Sequence, residues 1–395
     1  MLNRPMPFSG RSAVEREPNT LARALEAQRL ARQPLLDLTV GNPTAAGIPY
    51  EAEAILAALA NPASLVYEPL ALGSFAARSA VCGEWRRRGF AVAPERVLLT
   101  ASTSEAYALL FKLLCDPGDE VLVPVPSYPL FEYLARFEGV TAKPYPLSFD
   151  GGWYLDLAHV REAIGPRTRA LVVVSPNNPT GHFLKSAELD QLAGLGLPLI
   201  SDEVFASYPL NAPANAAASA LQAEQALVFV LSGLSKLAGL PQMKLAWTTV
   251  GGPAELAEEA LSRLEILADA YLSPGAPAQV ALPVLLSTRG TTERAIAARL
   301  RRNLRALERA LEGGAADVLP VEGGWYAVVR LPRIVSEEEW VIGLLRDAQV
   351  LVQPGYFFDF PDEAYLVVSL LTPPDAFEQG VARLSRYVDE LCRQH

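Results

Sequence analysis

Groups capable of chemistry collect where short apolar runs of this chain end. The run Leu227–Leu231 gives way to Ser232-Gly233-Leu234-Ser235-Lys236, and Leu197–Ile200 to Ser201-Asp202-Glu203. Ala170–Val174 runs into Ser175-Pro176-Asn177-Asn178-Pro179-Thr180-Gly181, and Glu120–Val123 into Pro126-Ser127-Tyr128-Pro129. Together these ends supply a primary amine, a carboxylate, an amide and an aromatic ring. A lysine amine placed at such a crest is a nucleophile for carbonyl carbon. The chain has five lysines. Lys112 falls in a helical stretch and Lys143 and Lys185 in polar turn contexts, whereas Lys236 follows a buried run and precedes Gly239-Leu240-Pro241. Asp202 closes an apolar run, where an unpaired carboxylate is costly; it either meets a partner in a crevice or caps a helix. Ser102-Thr103-Ser104 precedes an apolar helical stretch, and the free N–H groups of a helix start serve an anion as readily as a side-chain cap.

The elements that must hold these groups form a βα rhythm from about residue 95 to 250. The four apolar runs predict buried parallel strands, separated by helices such as Ser104–Cys115 and Ser186–Ala193, with Asp116-Pro117-Gly118 as a turn. That is an α/β layout, a mostly parallel sheet with helices on both faces, whose ligands bind at the carboxyl ends of the strands. Later in the chain the pattern predicts a long Arg-rich helix (Thr292–Leu311), a strand (Trp325–Leu331), a Ser336/Glu339 capping box, two further strands and a closing helix (Asp375–Leu391). These make a smaller α+β unit. At the other end, Pro5 and Pro7 keep the start extended and Asn19 caps a helix through Leu21, Leu25 and Leu30. The expected division is residues 1–45 as an arm and helix packing with the small domain or a partner subunit, 46–285 as the large α/β domain, and 286–395 as the small domain.

The order and spacing of Asn-Pro-Thr-Gly, then Asp, then Ser-x-Lys resemble the class I/II aminotransferases, fold-type I enzymes that use pyridoxal 5′-phosphate. The resemblance runs from Val40-Gly41-Asn42-Pro43 to the last strand. It implies that Lys236 holds the cofactor as a Schiff base and shuttles the substrate proton. It implies that Asp202 keeps the pyridine nitrogen protonated, that Asn178 bonds the ring hydroxyl, and that Tyr128 stacks on the ring. Ser102, Thr103, Ser104 and Ser235 take the phosphate by the same resemblance. Tyr67, with Gly73 and Arg78 following, resembles the tyrosine that reaches a neighbouring subunit's phosphate, which implies a homodimer.

Three positions depart from that pattern. Phe205 stands where the family commonly has a tyrosine that donates to the ring hydroxyl, so Tyr208 or a water must compensate or the donor is lost. Lys244 stands where a phosphate-binding arginine is usual and lacks its planar fork. Val367, in Tyr365-Leu366-Val367-Val368-Ser369, occupies the place of the arginine that clamps the substrate carboxylate, and an apolar side chain cannot form that pair. Either another arginine acts or the substrate is not an ordinary α-amino acid. Arg330, expected near Ser369, is the candidate replacement, and Gly41 a second substrate contact.

The expected activity is transfer of an amino group from an amino donor to a keto acid. A lyase on the same cofactor (elimination or decarboxylation) and a non-catalytic ligand sensor are the alternatives. Composition limits the partners. A net charge of −10 over 395 residues argues against nucleic acid or an anionic membrane. Cys82, Cys115 and Cys392 are too scattered for a disulfide framework or a metal cage, and His159, His182 and His395 have no ligand spacing. No signal peptide or membrane span is evident, and a cytoplasmic setting is expected.

Overall fold

The computed structural model describes residues 8–14, 17–272, 274–362 and 364–395; Pro5 and Pro7 lie outside them. The large sheet contains β2 (Val97–Thr100), β3 (Glu120–Val125), β4 (Thr141–Phe149), β5 (Trp153–Leu155), β6 (Thr168–Val174), β7 (Leu199–Asp202), β8 (Val228–Gly233) and β9 (Ala246–Gly251). Its order is β2-β9-β8-β7-β6-β3-β4-β5. Strands β4, β3, β6, β7 and β8 are mutually parallel, while β9 runs antiparallel to both β8 and β2. The carboxyl ends of β2, β3, β6, β7 and β8 therefore share one edge.

Alternation along the strands divides the interior into two layers. Leu171 and Val173 of β6 join one cluster, with Val81 and Trp85 of helix Phe75–Arg87 and Leu189 and Leu192 of helix Ser186–Ala193. Ala170, Val172 and Val174 join the other, with Leu110 and Phe111 of helix Thr103–Leu114 and Leu264 of helix Ala254–Asp269. Successive side chains of a strand point to opposite faces, so a run apolar at every position needs helices on both. Lys143, expected in a turn, lies within β4.

The small sheet has the order β10 (Asp317–Val318), β11 (Tyr326–Arg330), β14 (Tyr365–Ser369), β13 (Gln353–Pro354). Ala327, Val329, Leu366 and Val368 face a third cluster with Ile296, Leu300, Leu304 and Leu307 of helix Gly290–Leu311. Val328 and Val367 face the first cluster instead, so this sheet packs towards the large one. Ser336 and Glu339 form the expected capping box of helix Glu337–Arg346.

Near the N-terminus, Asn19 caps helix Thr20–Leu30, whose Leu21 and Ala24 join the third cluster. A short strand β1 (Leu36–Asp37) pairs in parallel with β12 (Val350–Leu351). The described part of the arm lies on its own chain: Arg136 donates to the carbonyls of Gly10 and Ala13.

Candidate active site

A cavity of about 270 Å³ opens at the shared strand edge. Each strand end brings one part of its lining: Ser102–Ser104 after β2, Tyr128 after β3, Asn178 after β6, Asp202 on β7, and Ser235 and Lys236 after β8. Phe205 lines it as well. The sequence placed these residues together, and the fold brings them together.

Lys236 sits on a single helical turn, Leu234–Leu237, directly after β8. Its Nζ lies 4.9 Å from the Trp325 ring centroid and 5.5 Å from that of Phe205. Burial holds its amine below the ordinary lysine range, and the Asp202 charge opposes that shift. A larger fraction of the amine is thus unprotonated near neutral pH, the state a nucleophile needs.

Burial pushes the Asp202 carboxyl up to about 6. The Val204 N–H, 3.1 Å from Oδ1, and the Tyr107 hydroxyl, 3.2 Å from Oδ2, counteract this. Tyr107 was not anticipated, although its position three residues after Ser104 puts it on the same helix face. Tyr326 was also missed. It lines the cavity from β11 and packs edge-on to Phe205, and desolvation raises its hydroxyl to about 12.

The donor set matches the needs of pyridoxal 5′-phosphate. Asn178 Oδ1 is buried without a hydrogen-bond partner, as expected of an amide oriented towards a bound group. The first N–H groups of a helix lack intrahelical partners. Ser102 Oγ accepts that of Glu105 at 3.1 Å, so Ser102 does cap the helix, but the N–H groups of Thr103 and Ser104 are left beside the cavity. An unpaired amide oxygen, a helix start, a buried carboxylate and a buried lysine of lowered pKa fit a phosphorylated pyridine aldehyde.

Other expected contacts lie elsewhere. Arg330 was expected near Ser369, but the register places Tyr326 opposite Ser369 and Arg330 opposite Tyr365. Arg330 is exposed and pairs with Asp317 at 2.8 Å. An antiparallel strand reverses which end meets the site, and four residues of strand separate the two positions by roughly 13 Å. Lys244 is exposed at φ 48°, and Tyr67 is 75% exposed; neither lines the cavity. Gly41 abuts Tyr326, whose hydroxyl would stand 2.8 Å from a Cβ built at that glycine. Tyr208 does not replace the donor missing at Phe205, because its hydroxyl donates to the Lys236 carbonyl at 2.7 Å.

Comparison with known proteins agrees with this geometry. The family model described as aminotransferase class I and II matches residues 33–384. Glutamate-pyruvate aminotransferase AlaA of Escherichia coli is 26% identical over 378 residues, covering 92% of this chain and 93% of that one. An alanine aminotransferase of Mycobacterium bovis is 30% identical over 304 residues, covering 74% and 70%. The solved alanine aminotransferase from Pyrococcus furiosus superposes with a TM-score of 0.87 at 25% identity, covering 97% of this chain and all of that one. The architecture is that of the fold-type I enzymes, and the chain belongs to the class I and II aminotransferase family, an enzyme that transfers amino groups.

Proposed function

We propose that amino-group transfer runs through Lys236 in the cavity at the strand edge, with pyridoxal 5′-phosphate as cofactor. The observation that carries this is the placement of Asp202 at the end of β7 and Lys236 just after the adjacent β8, in one cavity with the unpaired Asn178 Oδ1. Asp202 would hold the ring nitrogen, Asn178 the ring hydroxyl, Tyr128 and Phe205 the ring faces, and Ser102–Ser104 with Ser235 the phosphate. When bound, the cofactor supplies a carbonyl to receive the amino group and a ring to draw electrons from the substrate carbon. Burial lowers the pKa of the Lys236 amine, which would hold the cofactor and, once free, would move a proton at Nζ as base and acid. Asp202 keeps its negative charge opposite the ring nitrogen, with Tyr107 and the Val204 N–H fixing its two oxygens. Names of the relatives support transfer over elimination or decarboxylation.

The chain is proposed to act as a homodimer. Leu65, Val66 and Tyr67 form an exposed apolar run, and Tyr67 would reach the partner's cavity as the resemblance implies.

Absorbance spectroscopy tests the reading. Purified protein loaded with pyridoxal 5′-phosphate should show a band near the visible that an amino donor bleaches to that of the aminated cofactor, with a carbonyl product released. Lys236→Ala should bind the cofactor yet give no turnover. Ammonia release without cofactor amination would reject transfer in favour of elimination.

A further inference from the structure

The charge balance of the cavity bears on its substrate. Among the described residues that line it, Lys236 is the one cation and Asp202 the one carboxylate. Both are committed to the chemistry proposed above. The remaining polar lining is hydroxyls and one amide. Arg330 lies at the far end of β11 against Asp317, and Lys244 is exposed. On β14, Val367 is fully buried between Val328 and Gln353 and packs in an apolar cluster, so this strand brings no charge towards the cavity. A carboxylate on the carbon next to the reacting amine would enter a buried space lined by Asp202 and, on the reading above, shared with the cofactor's phosphate, and this chain lines it with no further cation to pair it. Burial of an unpaired charge is strongly unfavourable.

What the cavity offers instead is apolar wall and a neutral donor. Phe131, Leu134, Val174, Val204 and Phe205 line it. Tyr326 stands at the first residue of β11, with its hydroxyl over the bare backbone of Gly41. A side chain at 41 would take that oxygen's place, since a Cβ there comes within 2.8 Å of it. With its proton held to high pH by burial, the hydroxyl is a donor throughout the physiological range.

Resting on the aminotransferase reading, we propose that this enzyme acts on primary amines and amino alcohols with an apolar or aromatic body, and on the matching aldehydes or ketones, none carrying an ionised carboxylate beside the reacting carbon. Tyr326 is the specificity residue that bonds the neutral oxygen of such substrates. In the overall reaction R–CH2–NH2 and R′–CHO become R–CHO and R′–CH2–NH2. The donor carbon loses two electrons and one hydrogen, the acceptor carbon gains them, and nitrogen and carbonyl oxygen exchange carbons through one water taken up and one released, with no other reactant consumed. Both half-reactions use one cavity, so the same charge argument governs donor and acceptor.

The test compares matched donors on the holoenzyme: 2-phenylethylamine, phenylalaninol and phenylalanine, with alanine and glutamate alongside. Cofactor amination by absorbance and the carbonyl product by derivatisation are the readouts. The expected result is a kcat/KM at least about 10-fold higher for the two carboxylate-free donors than for any amino acid. If phenylalanine, alanine or glutamate reacts as well or better, the substrate proposal is overturned while the aminotransferase reading stands. If no donor aminates the cofactor, both fall together. Tyr326→Phe, checked for an unchanged cofactor spectrum, should lower kcat/KM about 10-fold for phenylalaninol and less than about 2-fold for 2-phenylethylamine. Equal effects on the two would overturn the role of Tyr326.

Discussion

At the scale of single residues, Asp202 carries a measurable signature even without cofactor. Burial raises its carboxyl from 3.8 to about 6, so the folded chain binds this proton more tightly than the unfolded chain does. The sign follows from linkage: between pH 4 and 6 the native state holds more protons, and stability falls as pH rises through that window. The raised value bounds the loss at about 3 kcal/mol. Asp202→Asn should therefore flatten the denaturation profile of the cofactor-free protein between pH 4 and 6 and leave it more stable at pH 7. The same substitution should weaken the cofactor's hold and slow transfer at least about 100-fold. Urea melts across pH check the first effect, and an unchanged slope would refute it. Lys244 makes a contrasting case. It occupies the left-handed region at φ 48° while exposed, so Lys244→Gly should gain about 0.5–1 kcal/mol from relief of strain. A large loss of cofactor affinity in that variant would instead restore the phosphate role implied by the resemblance.

Helices and loops explain why some of the site could be read from sequence and some could not. Lys236, Asp202, Asn178 and Tyr128 follow apolar runs directly, and a strand's end is local information. Tyr326 and Trp325 reach the site only because the small sheet packs against the large one, and no local pattern encodes that approach. Arg330 was misplaced for a related reason: a strand's residues are legible, but the direction in which it pairs is not. The contact that brings the two sheets together centres on Glu322. Its carboxylate accepts from the Phe183 N–H and from Lys185 Nζ, both at 2.7 Å, with His182 Nδ1 2.8 Å from that amine. Its carbonyl accepts from Leu210 and Asn211, while Gly323 donates to the Gly181 carbonyl. Glu322 thus joins the loop of Asn178, the loop after Phe205 and the strand of Tyr326. Glu322→Ala leaves Lys185 without its charge partner and should cost about 2–4 kcal/mol, with Glu322→Gln costing less. Chemical denaturation measures both, and a neutral Glu322→Ala would show that packing alone holds the segments.

At the scale of the whole molecule, the described residues form three core clusters, two against the large sheet and one behind the small sheet. The proposed division after residue 285 cuts helix Ala276–Thr288, which packs on the first cluster, three residues before its end, while the next helix, Gly290–Leu311, packs on the cluster behind the small sheet. No described helix is long and apolar enough to cross a membrane. Leu65 is 90% exposed, and Val66, Tyr67 and Leu70 are exposed beside it. An unbroken apolar run of this kind on the surface marks an interaction face, and the proposed homodimer would cover it. Tyr67 would then leave solvent for the partner's phosphate, so assembly and cofactor binding would be linked. A charge placed in the run separates the two effects, because Leu65 lies on this chain's surface and away from its own cavity. Leu65→Glu should shift the protein towards monomer in sedimentation velocity and, through loss of the partner's Tyr67, weaken cofactor affinity several-fold. Tyr67→Phe should weaken the cofactor to a similar degree while leaving the dimer intact. A Leu65→Glu protein that remains dimeric with full cofactor affinity would place the interface elsewhere on the molecule.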